Sequence, residues 1–218
     1  MLSQTEKLCS IFNDKQFDKV NSIIKQIKNE KEEYKTTDLW KFDQTIGGIG
    51  GYCQGCDPVT SNPFQGTECR NVYRCLQYVR SDIDILNINY TARYIIENCG
   101  HYLEEAIKLY FSKKEKINWL IIRKYPLGKL LKYIKNTKVF EEKIIEQLEL
   151  FVDIYNISKH EILSDDELPR TFGADDAIIY YFACRIVGKE ILIKVYEKME
   201  SQIYEIDWNK YRRDINRF

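Results

Sequence analysis

Apolar residues recur at three- and four-residue steps along most of this chain, the period of helices with one buried face. Near the start, Leu8, Ile11 and Phe12 form one short stripe. Phe17, Val20, Ile23, Ile24 and Ile27 form a second, with lysines and glutamates opposite. The pattern predicts helix over 3–35, broken at Asn13-Asp14, with Ser3 and Glu6 at capping-box spacing. Helix returns over 70–112, where Ile88, Ala92, Ile95, Cys99, Leu103, Ala106 and Tyr110 make a core stripe. Tyr90, Tyr94, Glu97, His101 and Glu105 occupy another face. Pro126 opens a short helix through Leu127, Leu130, Leu131 and Ile134, ended near Asn136-Thr137. The next helix buries Phe140, Ile144, Leu148, Phe151 and Tyr155, and shows Glu146, Glu149, Asp153, Asn156 and His160 on its polar side. After a polar loop at 164–173, a last long helix is predicted over 174–200. Its stretch 177–187 is apolar on nearly all sides, which places it centrally. No segment alternates as a strand would, and no repeat is visible. The expectation is an all-α bundle of five to seven helices, with a short helix in the tail at 211–218.

One segment interrupts this regularity. Gly47-Gly48-Ile49-Gly50-Gly51, Pro58, Pro63 and Gly66 cluster between two helical regions. The chain therefore divides into N-terminal helices at 1–37, a Gly/Cys-rich loop or small subdomain at 38–69, and a helical bundle at 70–218. At 218 residues these parts fit one domain. The glycine run has neither the lysine of a P-loop nor a preceding strand, so a plain loop is the simpler reading.

Composition narrows the class further. Hydrophobic residues are 44% and charged residues 30%, which excludes a disordered or collagen-like chain. The longest apolar run, Ala177 to Cys184, is too short to span a bilayer, and no signal peptide is apparent. No membrane partner is expected. Seven cysteines, an odd number with several inside helical patterns, suit reduced thiols in the cytoplasm.

Lys+Arg and Asp+Glu balance at 33 each, but not locally. Lys108–Lys138 holds nine lysines and one arginine against Glu115, net +9. Residues 139–176 hold eleven acids against Lys143, Lys159 and Arg170, net −8. The basic block also carries Tyr110, Phe111, Trp119, Tyr125 and Tyr133. Basic and aromatic residues together neutralise phosphates and stack on bases. Alternatively, neighbouring helices of opposite charge attract each other across their edges. Either reading accommodates the blocks, and a protein partner for the charged faces stays open as well.

Cys53-Gln54-Gly55-Cys56 is a C-x2-C pair on a glycine turn. Cys69 and Cys75 follow, and four thiolates can close a tetrahedral structural zinc site. Free thiols, or a dithiol redox pair, fit the same residues. Of the two histidines, His101 lies one helical turn from both Glu97 and Glu105, and His160 one turn after Asn156. A carboxylate beside an imidazole fixes its tautomer and raises its pKa, as acid–base chemistry requires.

A basic linker, a helix ending Tyr155-Asn156-x-x-Lys159-His160, a polar loop with Arg170, and a buried helix with Asp175-Asp176-Ala177 and Arg185 follow in order. Over roughly 80–200 this order resembles HEPN-type all-helical proteins. Such families include prokaryotic ribonucleases, toxin–antitoxin components and phage-defence proteins, many of them homodimers. The resemblance implies an RNA or nucleotide ligand, with Lys129, Lys132, Lys135 and Lys159 on its phosphates. It implies, for a catalytic member, a metal-independent ribonuclease. His160 would be the general acid or base, oriented by Asn156, with Arg170 or Arg185 on the phosphate. One departure is plain: the Arg-x4–6-His motif of active HEPN ribonucleases is absent here. A binding member without catalysis fits that departure.

Overall fold

The computed structural model describes residues 4–28, 39, 42–43, 45–46, 67–83, 88–159 and 172–195. Among them there is no strand, and the fold is all-α. The helices are α1 (Gln4–Lys7), α2 (Asp14–Lys28), α3 (Thr67–Asp82), α4 (Ile88–Lys113), α5 (Trp119–Ile122), α6 (Leu127–Thr137), α7 (Glu142–Lys159) and α8 (Ala174–Val195). The core stripes read from the sequence are buried on α2, α6, α7 and α8, except that Phe17, expected in the α2 stripe, is 37% exposed in the first turn of that helix. No helix among the described residues is long and apolar enough to cross a membrane.

The break at Asn13 has a local cause. The Asn13 side chain accepts from the Gln16 N–H, and the Gln16 side chain accepts from the Asn13 N–H, both at 3.0 Å. This reciprocal cap starts α2. Ser3 lies outside the described residues. The helical region expected over 70–112 comprises two helices, α3 and α4, with Ile83 buried where α3 ends. Periodicity carries through the join because both helices bury apolar faces.

The pair α4 and α8 forms the centre, as the all-round apolar character of 177–187 requires. The start of α8 is tied down on several sides. Asn89 of α4 accepts from the Ala174 N–H at 2.9 Å, and Asp176 accepts from the Gly173 N–H at 3.0 Å and from the Thr5 hydroxyl. Asp175 pairs with Lys28 of α2. Carboxylates here offset the exposed N–H groups and the positive helix end.

The expectation of an irregular segment from 38 onward needs correcting at both ends. Leu39, Phe42, Asp43, Thr45 and Ile46 are helical, and Leu39, Asp43 and Ile46 are buried. Residues 39, 42, 43 and 46 share one helical face. Phe42 packs on Phe182 of α8 at 5.0 Å between ring centroids. At the other end α3 already begins at Thr67, before the expected boundary at 70. Glycine and proline, dense further on, masked the short apolar face that precedes them.

Candidate functional site

Helices α6 and α7 flank a shallow, open groove of about 450 Å³. It is lined by Gly128, Leu131, Lys132, Lys135 and Asn136 from α6 and by Glu149 and Asp153 from α7. The first turn of α6 is fixed from α4. Glu104, nearly buried, accepts from the Leu127 N–H at 2.9 Å, satisfying a helix-start donor that Pro126 leaves without a side-chain cap. The same carboxylate holds Lys108 at 2.6 Å, and Glu105 holds it at 2.9 Å. Burial works against the Lys108 charge, but the hydrogen bonds to Glu104 and Glu105 outweigh it and raise its pKa. The far end of α6 stops at Lys138, in the left-handed region at φ 52°, whose N–H returns to Ile134. With Leu127, Leu130, Leu131 and Ile134 buried, the positions between them face outward.

The groove holds both signs of charge. Lys135 pairs with Glu149 across it, and Lys132 is exposed nearby. Asp153 supplies a carboxylate and Asn136 an amide, over a floor of Leu131 and Gly128. The ion pair shows the basic and acidic blocks attracting each other across neighbouring helices. A separate pair, Lys194 of α8 with Glu141 at 2.8 Å, ties α8 to the residue just before α7. A cation, an amide and a carboxylate together suit a ligand that carries an anion as well as hydroxyl or amino donors.

The other expected site residues are spread more widely. Lys129 is exposed, with its Nζ 4.2 Å from the centroid of the Tyr125 ring. Asn156 is exposed on α7, and Lys159 lies with its Nζ 4.3 Å from the Tyr155 ring centroid. His160, Arg170, Cys53 and Cys56 lie outside the described residues. Cys69 falls in the first turn of α3 with its side chain undescribed, and Cys75 is a half-buried free thiol further along it. Burial, and then Glu105, pushes the Cys75 thiol up to about 11, so it is not a thiolate near neutrality. Among the described residues no cluster of three or more His, Cys, Asp or Glu is placed to hold a metal.

Arg185 requires a correction. Expected to reach a phosphate in a groove, it is 0% exposed in the core. Its Nε donates to Asp43 Oδ1 at 2.7 Å and its Nη2 to Oδ2 at 3.3 Å. Tyr181, one turn earlier on α8, donates its hydroxyl to the same Asp43 oxygen at 2.8 Å. A guanidinium committed to a buried carboxylate is not presented to a ligand at the surface.

His101 also differs from expectation. Glu105 turns to Lys108, and the partner of the imidazole comes from α7: Tyr155 Oη lies 3.3 Å from Nδ1. The ring reaches α4 because Gly100 has no side chain there. A Cβ at that position would sit 2.3 Å from Tyr155 Cδ2. Burial, then Lys159, lowers the His101 pKa from the ordinary histidine value, against the opposing pull of Glu104 and Glu105. The folded protein thus binds fewer protons here than the unfolded chain does. The stabilising contribution is complete above the unfolded histidine pKa of about 6.5 and declines as pH falls below it towards the lowered folded value. His101→Gln is expected to flatten the fall in stability between about pH 7.5 and about pH 5.5. Urea unfolding at the two pH values measures it, and an unaltered slope would assign that pH dependence to other groups.

No protein-family model, curated protein or solved structure matches this chain. The geometry of the described residues therefore carries the functional reading.

Proposed function

We propose that this protein binds a nucleotide, or the nucleotides of an RNA strand, in the groove between α6 and α7. The mixed lining carries the reading: Lys132 beside the Lys135–Glu149 pair, with Asn136 and Asp153 within the same 450 Å³. A phosphate takes Lys132, and it competes with Glu149 for Lys135. Asp153 and Asn136 take ribose hydroxyls or base edges. The volume falls in the range of small-ligand sites, about 300–1,000 Å³. The HEPN resemblance points to the same ligand class. The proposal is one of binding: the lining of the groove supplies ligand contacts, and Arg185, committed to Asp43, is not among them.

Titration of a fluorescent oligoribonucleotide and of labelled mononucleotides tests this at two or more salt concentrations. Lys132→Ala is expected to weaken binding across sequences and to reduce the slope of log K against log salt by about one. Asp153→Asn is expected to weaken binding with little change in that slope, since it removes an acceptor rather than a phosphate contact. Absence of binding at low salt, or binding indifferent to both substitutions, would remove the groove from consideration.

A further inference from the structure

Beyond the groove, the turn around α5 displays three large apolar residues in succession. Trp119 is 40% exposed, Leu120 59% and Ile121 52%. The display is built. Before it, Lys116 takes the left-handed conformation at φ 57° and the Ile117 N–H returns to the Phe111 carbonyl at 3.1 Å, reversing the chain after α4. The Asn118 side chain then caps α5 by accepting from the Leu120 N–H at 2.8 Å. Ile122 alone of the four helical residues is buried. Exposed cations surround the turn: Lys116, Arg123 and Lys124. Glu115, the one acid in the sequence between Lys108 and Lys138, accepts from the Tyr110 hydroxyl at 3.3 Å.

We propose that this turn is a peripheral membrane-docking site, inserting Trp119, Leu120 and Ile121 among the lipids of an anionic bilayer while Lys116, Arg123 and Lys124 meet the headgroups. Two observations choose the bilayer over other occupants. First, successive helical residues differ by about 100°, so the three side chains cover about 200° of the helix circumference. A rigid surface meets one side of such a projection, whereas a fluid interface surrounds it. Second, Leu120 and Ile121, the most exposed of the three, have no π face to stack on a base. A second copy of the chain would bring the same cations against themselves. Trp favours the membrane interface, aliphatic side chains favour the acyl region, and cations favour anionic headgroups. The contact is peripheral and needs no spanning helix; it departs from the expectation of no membrane partner, which rested on the lack of a span and of a signal peptide.

The test is sedimentation of the full chain with vesicles of phosphatidylcholine alone and of phosphatidylcholine with phosphatidylserine. Binding to the anionic vesicles is expected to exceed binding to the neutral ones by about tenfold or more, falling with salt. Leu120→Ser/Ile121→Ser and, separately, Arg123→Gln/Lys124→Gln should each lower it on the order of tenfold, with circular dichroism and thermal unfolding unchanged. Brominated lipid should quench wild-type tryptophan emission, and Trp119→Phe should lose that quenching while still binding. Three results would overturn the proposal. One is no binding to anionic vesicles. Another is binding untouched by Leu120→Ser/Ile121→Ser. The third is a loss, in that variant and without vesicles present, of self-association by sedimentation velocity or of oligoribonucleotide binding as large as its loss of vesicle binding. That last result would hand the turn to a second copy or to nucleic acid.

Discussion

Asp43→Ala is expected to destabilise the protein by about 3–5 kcal/mol, because it removes the carboxylate from a guanidinium buried at 0% exposure. Taking a charge out of water costs several kcal/mol, and only a close partner offsets it. Here Asp43 offers both oxygens to Arg185 and one of them to Tyr181 as well. The same substitution weakens the attachment of the 39–46 face to α8, where Phe42 and Phe182 pack together. Urea unfolding measures the loss. A double replacement of the pair by apolar residues, Asp43→Leu with Arg185→Met, is expected to recover most of it, since a well-packed apolar pair avoids the desolvation cost. Tyr181→Phe should cost only about 1 kcal/mol, the net worth of one hydrogen bond. A loss under about 1 kcal/mol in Asp43→Ala would mean that the guanidinium finds compensation elsewhere in the core.

Gly188→Ala is the second large effect. Gly188 lies on α8 where Tyr102 of α4 crosses it, and a Cβ there would sit 2.2 Å from Tyr102 Cε1 and 2.5 Å from its Oη. The ring has little freedom to yield. Tyr102 is fully buried, packs on Tyr73 of α3 at 5.7 Å between centroids, and carries the hydroxyl close to the same spot. One methyl group must therefore push apart the two central helices or drive a tyrosine from its rotamer. Overpacking of this kind costs about 1–3 kcal/mol, and the central position favours the upper end. In an exposed helix the same change would stabilise by up to about 1 kcal/mol through propensity, so the sign of the measured effect is diagnostic. Shortening the opposing side chain, Tyr102→Leu, in the Gly188→Ala background should relieve the clash and make the two substitutions non-additive in chemical denaturation.

Much of the architecture is legible in the sequence. The stripes Val20–Ile27, Leu127–Ile134 and Phe140–Tyr155 are buried where their spacing placed them. The stretch 177–187 lies at the centre because a helix apolar on all sides has no face to give to water. Two boundaries are not legible in the sequence. Glycine and proline after residue 46 drew the boundary of the irregular segment too early. Continuous helical periodicity across α3 and α4 concealed the break between them. The groove was half legible: Lys132 and Lys135 stood out as a basic face, and Glu149 and Asp153 as an acidic one. That the two face each other across one cleft follows only from the packing of α6 on α7.

The amino-acid sequence by itself determined the helices, their buried faces and the all-α class. Helical periodicity is a local property, repeated often enough to average over exceptions, and burying a periodic apolar face is the largest favourable contribution available to it. Tertiary structure alone decided the partners of the polar groups. Arg185 is drawn inward to Asp43, 142 positions away in the chain, and His101 meets Tyr155, 54 positions away. Nothing in the spacing around either residue distinguishes it from a solvent-facing neighbour. A polar side chain goes wherever the fold offers the partner that offsets its desolvation, and which elements lie opposite one another is settled only when the apolar faces have packed.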